Sequence, residues 1–407
     1  MNTDARAHGI SRRHLLASSA AAAGAAGLGW GGRSLVEQSA ASTLPDGQQI
    51  VPFHGSHQAG ITTPPQAHAT FVALDLQPGL DRSLIIGLLK AWTQDAARLA
   101  EGRPGLADSE PELAAAPSRL TTTIGLGPAV FEVAGVADQR PPSIAPLPPL
   151  PIDDLDPRYS GGDLLLQVCS DDPLVVAHAV RILARSVRSL ATVRWTQRGF
   201  REARGSHPEG HTMRNLMGQI DGTNNPKPQD PGFEQALWHD DPAYPWLRGG
   251  TSMVVRRIAM DLDTWDELGR RDRELSIGRT LGTGAPLTGT REHDPPDFGA
   301  TDRFGIPIIP PSSHIARARA QAPEEVFLRR GYNYDDPPEP GRTSNSGLIF
   351  ATFQADIAKQ FLPVQQRIAE FDVLNEWTTP VGSAVFAIPP GCEPGDYLGR
   401  ALLEGSR

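Results

Sequence analysis

Apolar positions change period in a regular order along the chain. The run TFVALDL, Thr70 to Leu76, predicts a strand. From Ser83 the apolar residues fall at Ile85, Leu88, Leu89, Trp92, Ala96 and Leu99, which is the spacing of one helix face. A second strand is expected around Leu120 to Leu126, followed by the Pro-rich loop PPSIAPLPPLPIDDLDP. The strand LLLQVCS, Leu164 to Ser170, leads into Asp172-Pro173, an N-cap residue with proline at the first helical position. That helix carries Val176, Val180 and Leu183, and ATVRWTQRGF then alternates like a strand. The order β-α-β-β-α-β is the ferredoxin-like one.

The second half repeats this outline loosely. Ser252 to Leu262 predicts a strand, and Asp263-Thr264-Trp265 the start of a helix. Gly347 to Gln354 is a strand in the place that LLLQVCS holds in the first half. A helix follows from about Asp356, and Ser383 to Gly391 closes with a strand. Between the first helix and the Gly347 strand lies a long segment of Gly, Pro, Arg and His, the kind of irregular stretch that usually serves function. The expected class is α+β: two ferredoxin-like domains with antiparallel sheets, residues 63–240 and 241–407, after a linker and arm at 42–62.

Composition narrows the function. The net charge of −9 excludes a general nucleic-acid surface. Cys169 and Cys392 are too few for a disulfide framework, and a CxxC zinc motif is absent. Arg12-Arg13 precede a weakly apolar, Ala/Gly-rich run, which reads as a twin-arginine export signal over residues 1–41, with Ser39-Ala40-Ala41 as the cleavage site. The expected destination is outside the cell or in the periplasm and cell envelope. That route carries folded proteins, a common reason being a cofactor inserted beforehand. No other stretch is apolar enough to span a membrane.

Three places hold candidate chemistry. GQIDGTNNP, Gly218 to Pro226, is a loop with one acid, Asp221, among glycines and amides. It reads either as an Asp capping its own turn or as a lone acid–base. His314 precedes an Arg-rich run, then Arg329-Arg330 and Tyr332 and Tyr334. His207 and His211 have i, i+4 spacing, but Pro208-Glu209-Gly210 between them forbids a helix, so no metal site is expected there.

Taken in order, several pieces resemble the dye-decolourising peroxidase family, in particular its exported subgroup that includes deferrochelatases. They are GSHQAGI with TPPQ at Gly55 to Gln66, GQIDG at Gly218 to Gly222, IGRTLGTGAPLTG at Ile277 to Gly289, SHI at Ser313 to Ile315, RRGYNY at Arg329 to Tyr334, and LNEW at Leu374 to Trp377. The resemblance implies one haem b per chain, held mainly by the second domain. It implies reduction of hydrogen peroxide and oxidation of a small-molecule donor such as a dye or phenol, through a ferryl intermediate. The alternative is release of iron from haem.

It further implies His314 as the proximal ligand to the iron, with Asp372 or Glu376 on its other nitrogen. Asp221 becomes the distal acid–base and Arg329, rather than Arg330, the distal cation. Arg279 becomes a propionate partner, and Gly222, Thr223 and Asn224 lie against the haem rim. His57 falls near the site or is structural. Tyr332, Tyr334 and Trp377 are candidates to carry electrons to the surface. The family's Asn-Pro-Arg after the proximal His is replaced by Arg319-Ala320-Gln321, so no haem contact is assigned to that turn. The oligomeric state is left open, a homodimer included.

Overall fold

The structure is a computed structural model that describes residues 46–338 and 340–405. The signal expected at 1–41 lies outside the described residues. In the first half, β1 (His68–Leu76), α1 (Arg82–Ala100), β2 (Thr121–Leu126), α2 (Pro128–Val133), β3 (Leu164–Ser170), α3 (Pro173–Ser186) and β4 (Ala191–Phe200) follow one another. The strands pair antiparallel in the order β2-β3-β1-β4. Asp172 caps α3 as its position suggests, accepting the Leu174 N–H at 2.8 Å. The apolar face of α1 buries Leu88, Leu89 and Trp92 against Val72, Leu166 and Ile182, and Trp92 Nε1 donates to the Leu183 carbonyl at 2.8 Å.

The second half places α4 (Phe233–Leu237), β5 (Thr251–Met260), α5 (Leu262–Trp265), α6 (Arg270–Ile277), α7 (His314–Ala318), β6 (Leu328–Arg329), β7 (Tyr332–Asp336), β8 (Asn345–Gln354), α8 (Leu362–Phe371) and β9 (Thr378–Ile388). Its sheet runs β9-β5-β8-β7, again antiparallel. Three details differ from the reading of the sequence. The segment between the first helix and β8 is not wholly irregular: it contains β6 and β7, which lie end to end along one edge of β8. GYNYDD looks like a loop because Gly, Asn and Asp disfavour strands, yet Tyr332, Asn333 and Tyr334 are buried. The helix expected at Asp263 stops after one turn, and α6 continues the path. The helix expected from Asp356 opens as a π-helical turn, Ile357–Phe361, before α8.

The two sheets meet face to face. Phe71, Leu165 and Trp195 of the first pack with Met253, Tyr332, Ile349, Phe353 and Phe386 of the second. Their edges touch at two seams, each a single residue pair: Leu126 with Ala387, and Phe200 with Asn333. A glycine stands beside each seam. A Cβ on Gly125 would come within 2.9 Å of Phe386 Cβ, and one on Gly199 within 2.7 Å of both Ile349 Cδ1 and Tyr332 Cβ. The edges approach this closely because those positions carry no side chain.

Gly199→Ala should therefore overpack the seam and cost about 1–3 kcal/mol. Gly87→Ala, on the exposed face of α1 with nothing within 4 Å of the added Cβ, should stabilise by about 0.5–1 kcal/mol. Denaturant unfolding of the two variants beside the parent checks both signs.

Candidate functional site

Residues 212–226 form a tight hairpin-like loop. Arg214 bridges Ile220, and the Asp221 N–H donates to the Met213 carbonyl at 2.8 Å. Asn215 braces the turn, its Oδ1 accepting the N–H groups of Met217 and Gln219 at 3.1 and 3.2 Å. Arg214 ties the loop to the IGRTLG segment by donating to the carbonyls of Gly218, Leu281 and Gly282. Gly222 has φ +126°, which a residue with a side chain rarely adopts. Thr212 and Thr223 both donate to Glu292 Oε1, at 2.7 and 2.9 Å. Burial alone would raise the Glu292 pKa, but these two hydroxyls and nearby His293 and Arg279 bring it below the usual value.

The Asp221 carboxylate does not close its own turn. It lies 3.3 Å from Asn215 Nδ2 and 3.9 Å from Arg329 Nη1. Arg329 sits in β6, and its backbone is clamped by one side chain. Asn225 Nδ2 donates to the Arg329 carbonyl at 2.8 Å, and Asn225 Oδ1 accepts the Arg329 N–H at 2.8 Å. Arg330, one residue on, points the other way, as neighbours on an extended chain do. It is 2% exposed and donates to Thr63 O and Gln66 Oε1. Only one of the paired arginines can therefore meet Asp221. Asn225 was not singled out in the sequence; its signal was the doubled amide after the Asp221 motif.

His314 is the first residue of α7. A Cβ on Gly278 would stand 2.6 Å from Ile315 Cγ1, so the end of α6 presses on α7 only because that residue is glycine. His314 Nδ1 lies 2.6 Å from Asp372 Oδ2. A carboxylate only accepts, so Nδ1 donates and Nε2 is left for the cavity. The Asp372 side chain is fully buried, and its Oδ1 accepts the Leu374 N–H at 2.9 Å. Glu376, the alternative partner, is exposed. Burial pushes the His314 pKa down, but the charge and hydrogen bond of Asp372 outweigh it, and the net shift is upward.

His314, Asp221, Gly222, Thr223, Asn224, Arg279 and Arg329 all line one cavity of about 480 Å³. Its remaining walls include Ile258, Ile277, Leu348, Phe350 and Ile368. Arg279 Nη1 donates to the carbonyls of Gly284 and Glu292 at 2.7 and 2.8 Å, which leaves its other nitrogens without a partner among the described residues. Arg319 and Ala320, from the turn to which no contact was assigned, also line the cavity.

The other candidates resolve differently. His57 is structural: it stacks on Trp238 at 3.6 Å and its Nδ1 lies 2.6 Å from the Gly249 carbonyl. Tyr332 and Tyr334 are 0% exposed, so neither reaches the surface. Burial pushes both phenols well above their ordinary pKa. They belong to the packing between the sheets. Trp377 is half-buried and meets Trp265 edge-on at 5.3 Å. His207 and His211 lie outside any helix, as expected, yet the loop brings their rings together, so the absence of a helix does not remove a metal site.

The raised pKa of His314 has a definite sign for stability. In protein without cofactor, the protonated imidazole stabilises the fold fully below pH 6.5, and that contribution is lost as pH rises through the higher folded value. Ring NMR should show the His314 midpoint above 6.5 in the cofactor-free parent. In Asp372→Asn it should fall below the parent, because burial is then opposed only by the charge of Asp221.

Two family models match the chain: Dyp-type peroxidase, N-terminal, over residues 58–201, and Dyp-type peroxidase, C-terminal, over residues 212–393. A dye-decolorizing peroxidase of Thermobifida fusca is 38% identical, over 99% of both chains. A deferrochelatase of Shigella flexneri is 35% identical, over 97% of both. The crystal structure of a DyP-type peroxidase from Cellulomonas bogoriensis superposes with a TM-score of 0.86 at 56% identity, covering 89% of this chain and 100% of that one. The chain belongs to the Dyp-type peroxidase family.

Proposed function

We propose that this protein is an exported haem peroxidase that reduces hydrogen peroxide and oxidises a small organic donor. One observation carries the reading. The cavity that holds His314, with Asp372 at 2.6 Å, also holds the Asp221–Arg329 pair at 3.9 Å. Carriage of haem alone needs the first pair; it has no use for the second.

The residues suit one haem b per chain. The cavity offers a single free imidazole nitrogen rather than the several donors a bare metal ion needs. Apolar walls suit the macrocycle, and Arg279 and Arg319 at its margin suit the propionates. Most of these residues come from the second half of the chain. Asp221, Gly222, Thr223 and Asn224 come from the loop before it.

Haem, when bound, supplies the iron on which peroxide binds and the electrons that cleave its O–O bond. His314 Nε2 would face that iron. The bond from Nδ1 to Asp372 fixes the tautomer and makes the ring a stronger donor. Asp221 takes the proton from the inner peroxide oxygen and returns it to the outer one, directly or through a water. The outer oxygen, once protonated, would leave as water. The Arg329 guanidinium opposes the negative charge that grows on that oxygen, and Asn225 holds the Arg329 backbone in place. Bulky donors do not fit a cavity of this size, so they give electrons at the surface. Trp377 is the aromatic residue placed for this: it packs beside Leu374 of the cavity wall and is half-buried.

The second reading, iron release from haem, is favoured by the relatives called deferrochelatases. Among the described residues no helix is long and apolar enough to cross a membrane. Separately, the twin-arginine motif at residues 12 and 13 supports export by that route.

An absorption spectrum taken before and after one equivalent of hydrogen peroxide separates the readings. The peroxidase shows a Soret band that changes; a haem carrier shows one that does not. Asp221→Ala should keep the haem and slow the peroxide reaction by about 10²–10⁴-fold, the usual contribution of general acid–base catalysis. Loss of haem, or unchanged stopped-flow kinetics, contradicts the role. Trp377→Phe should lower turnover of a bulky dye while leaving the peroxide step at the parent rate.

A further inference from the structure

Downstream of β4 the chain makes a surface loop, residues 201–214, before it enters the hairpin that holds Asp221. Three side chains of this loop converge. The donor atoms of Glu202, His207 and His211 all lie within 4.8 Å of one another. The two imidazole rings are nearly parallel, 15° apart, with centroids 4.2 Å apart. A turn produces this, with His211 N donating to Pro208 O at 3.1 Å and Gly210 at φ +81°. The turn achieves what i, i+4 spacing achieves on a helix.

We propose that Glu202, His207 and His211 form a binding site for a divalent transition-metal ion of the zinc type. Two imidazoles and one carboxylate are a common three-ligand set for such an ion, with the fourth position open to water. Ligands about 2.0–2.1 Å from a tetrahedral ion stand roughly 3.3 Å from each other, so these donors must draw in by at most about 1.5 Å. Both histidines are exposed and free to rotate that far.

The surroundings favour a cation. Glu202 Oε1 accepts the Arg214 N–H at 2.8 Å, which orients the carboxylate and leaves Oε2 for the ion. The nearby arginine side chains make hydrogen bonds outside the cluster, while the Arg201 charge still acts on Glu202. Arg201 donates to the Gly331 carbonyl, Arg204 pairs with Asp171, and Arg214 donates to Gly218, Leu281 and Gly282. An ion here would close the neck of the loop, next to the Met213 carbonyl that holds the Asp221 N–H. The site does not depend on the peroxidase reading.

The test is calorimetric titration of zinc chloride into the haem-loaded protein and into His207→Ala, His211→Ala and Glu202→Gln. Glu202→Gln keeps an acceptor for Arg214 and removes the charge. The parent should take up one equivalent, and each variant should bind more than about tenfold more weakly, a loss at or beyond that of outer-shell changes. Unchanged Soret and circular dichroism spectra show that the variants are folded. No uptake by the parent, or uptake by the histidine variants equal to the parent's, overturns the proposal.

Discussion

The contact between His314 and Asp372 sets the terms for the rest of the site. A carboxylate with no solvent exposure is costly to bury unless its lone pairs are used. Asp372 uses them on the His314 ring and on the Leu374 N–H in the turn after α8. Removing the His314 ring would leave the buried Asp372 carboxylate short of a partner and so destabilise this end of the fold. The pair is therefore both a support for α7 and the reason that one imidazole nitrogen, and only one, is left for the cavity. The backbone bond from Val373 to Ser312 holds the two segments in register.

The facing chemistry is built on different principles. Asp221 and Arg329 lie about a quarter exposed, and the strength of their interaction depends on position more than on burial. That position comes from a chain of hydrogen bonds, some neutral and those to the Glu292 carboxylate charge-assisted. Asn215 and Glu292 shape the loop, and Asn225 grips the backbone of Arg329 from both sides. Such bonds are individually worth only about 1–3 kcal/mol, but they are directional, and direction is what the proton transfer proposed for Asp221 requires. The amides of GQIDGTNNP thus serve as scaffolding for the single acid among them.

Both pairs ride on a frame in which two antiparallel sheets press together. The frame closes through one residue pair at each seam, with Gly125 and Gly199 making room. The same face-to-face packing claims Tyr332 and Tyr334, which removes them as surface carriers of electrons. Under the proposed function that part falls to the half-buried Trp377 beside the cavity wall.

Much of this was legible in the chain. The period of the apolar residues marked β1, α1, β3, α3, β4, β5, β8 and β9, because burial on one face imposes a period whatever the neighbours are. The caps and the Asp221 and His314 motifs could be read locally for the same reason. What could not be read was decided by long-range contact. β7 is a strand because β8 offers it an edge; its own residues argue for a loop. The choice of Arg329 over Arg330 rests, in the sequence, on the family resemblance; its physical reason, an extended chain that alternates, shows only in the structure. Asp372 rather than Glu376 meets His314 because the turn after α8 buries one and exposes the other. Glu202, His207 and His211 converge because a turn, not a helix, brings them together. Local sequence sets period and turn chemistry; which side chain meets which across dozens of residues is set only when the sheets and helices pack.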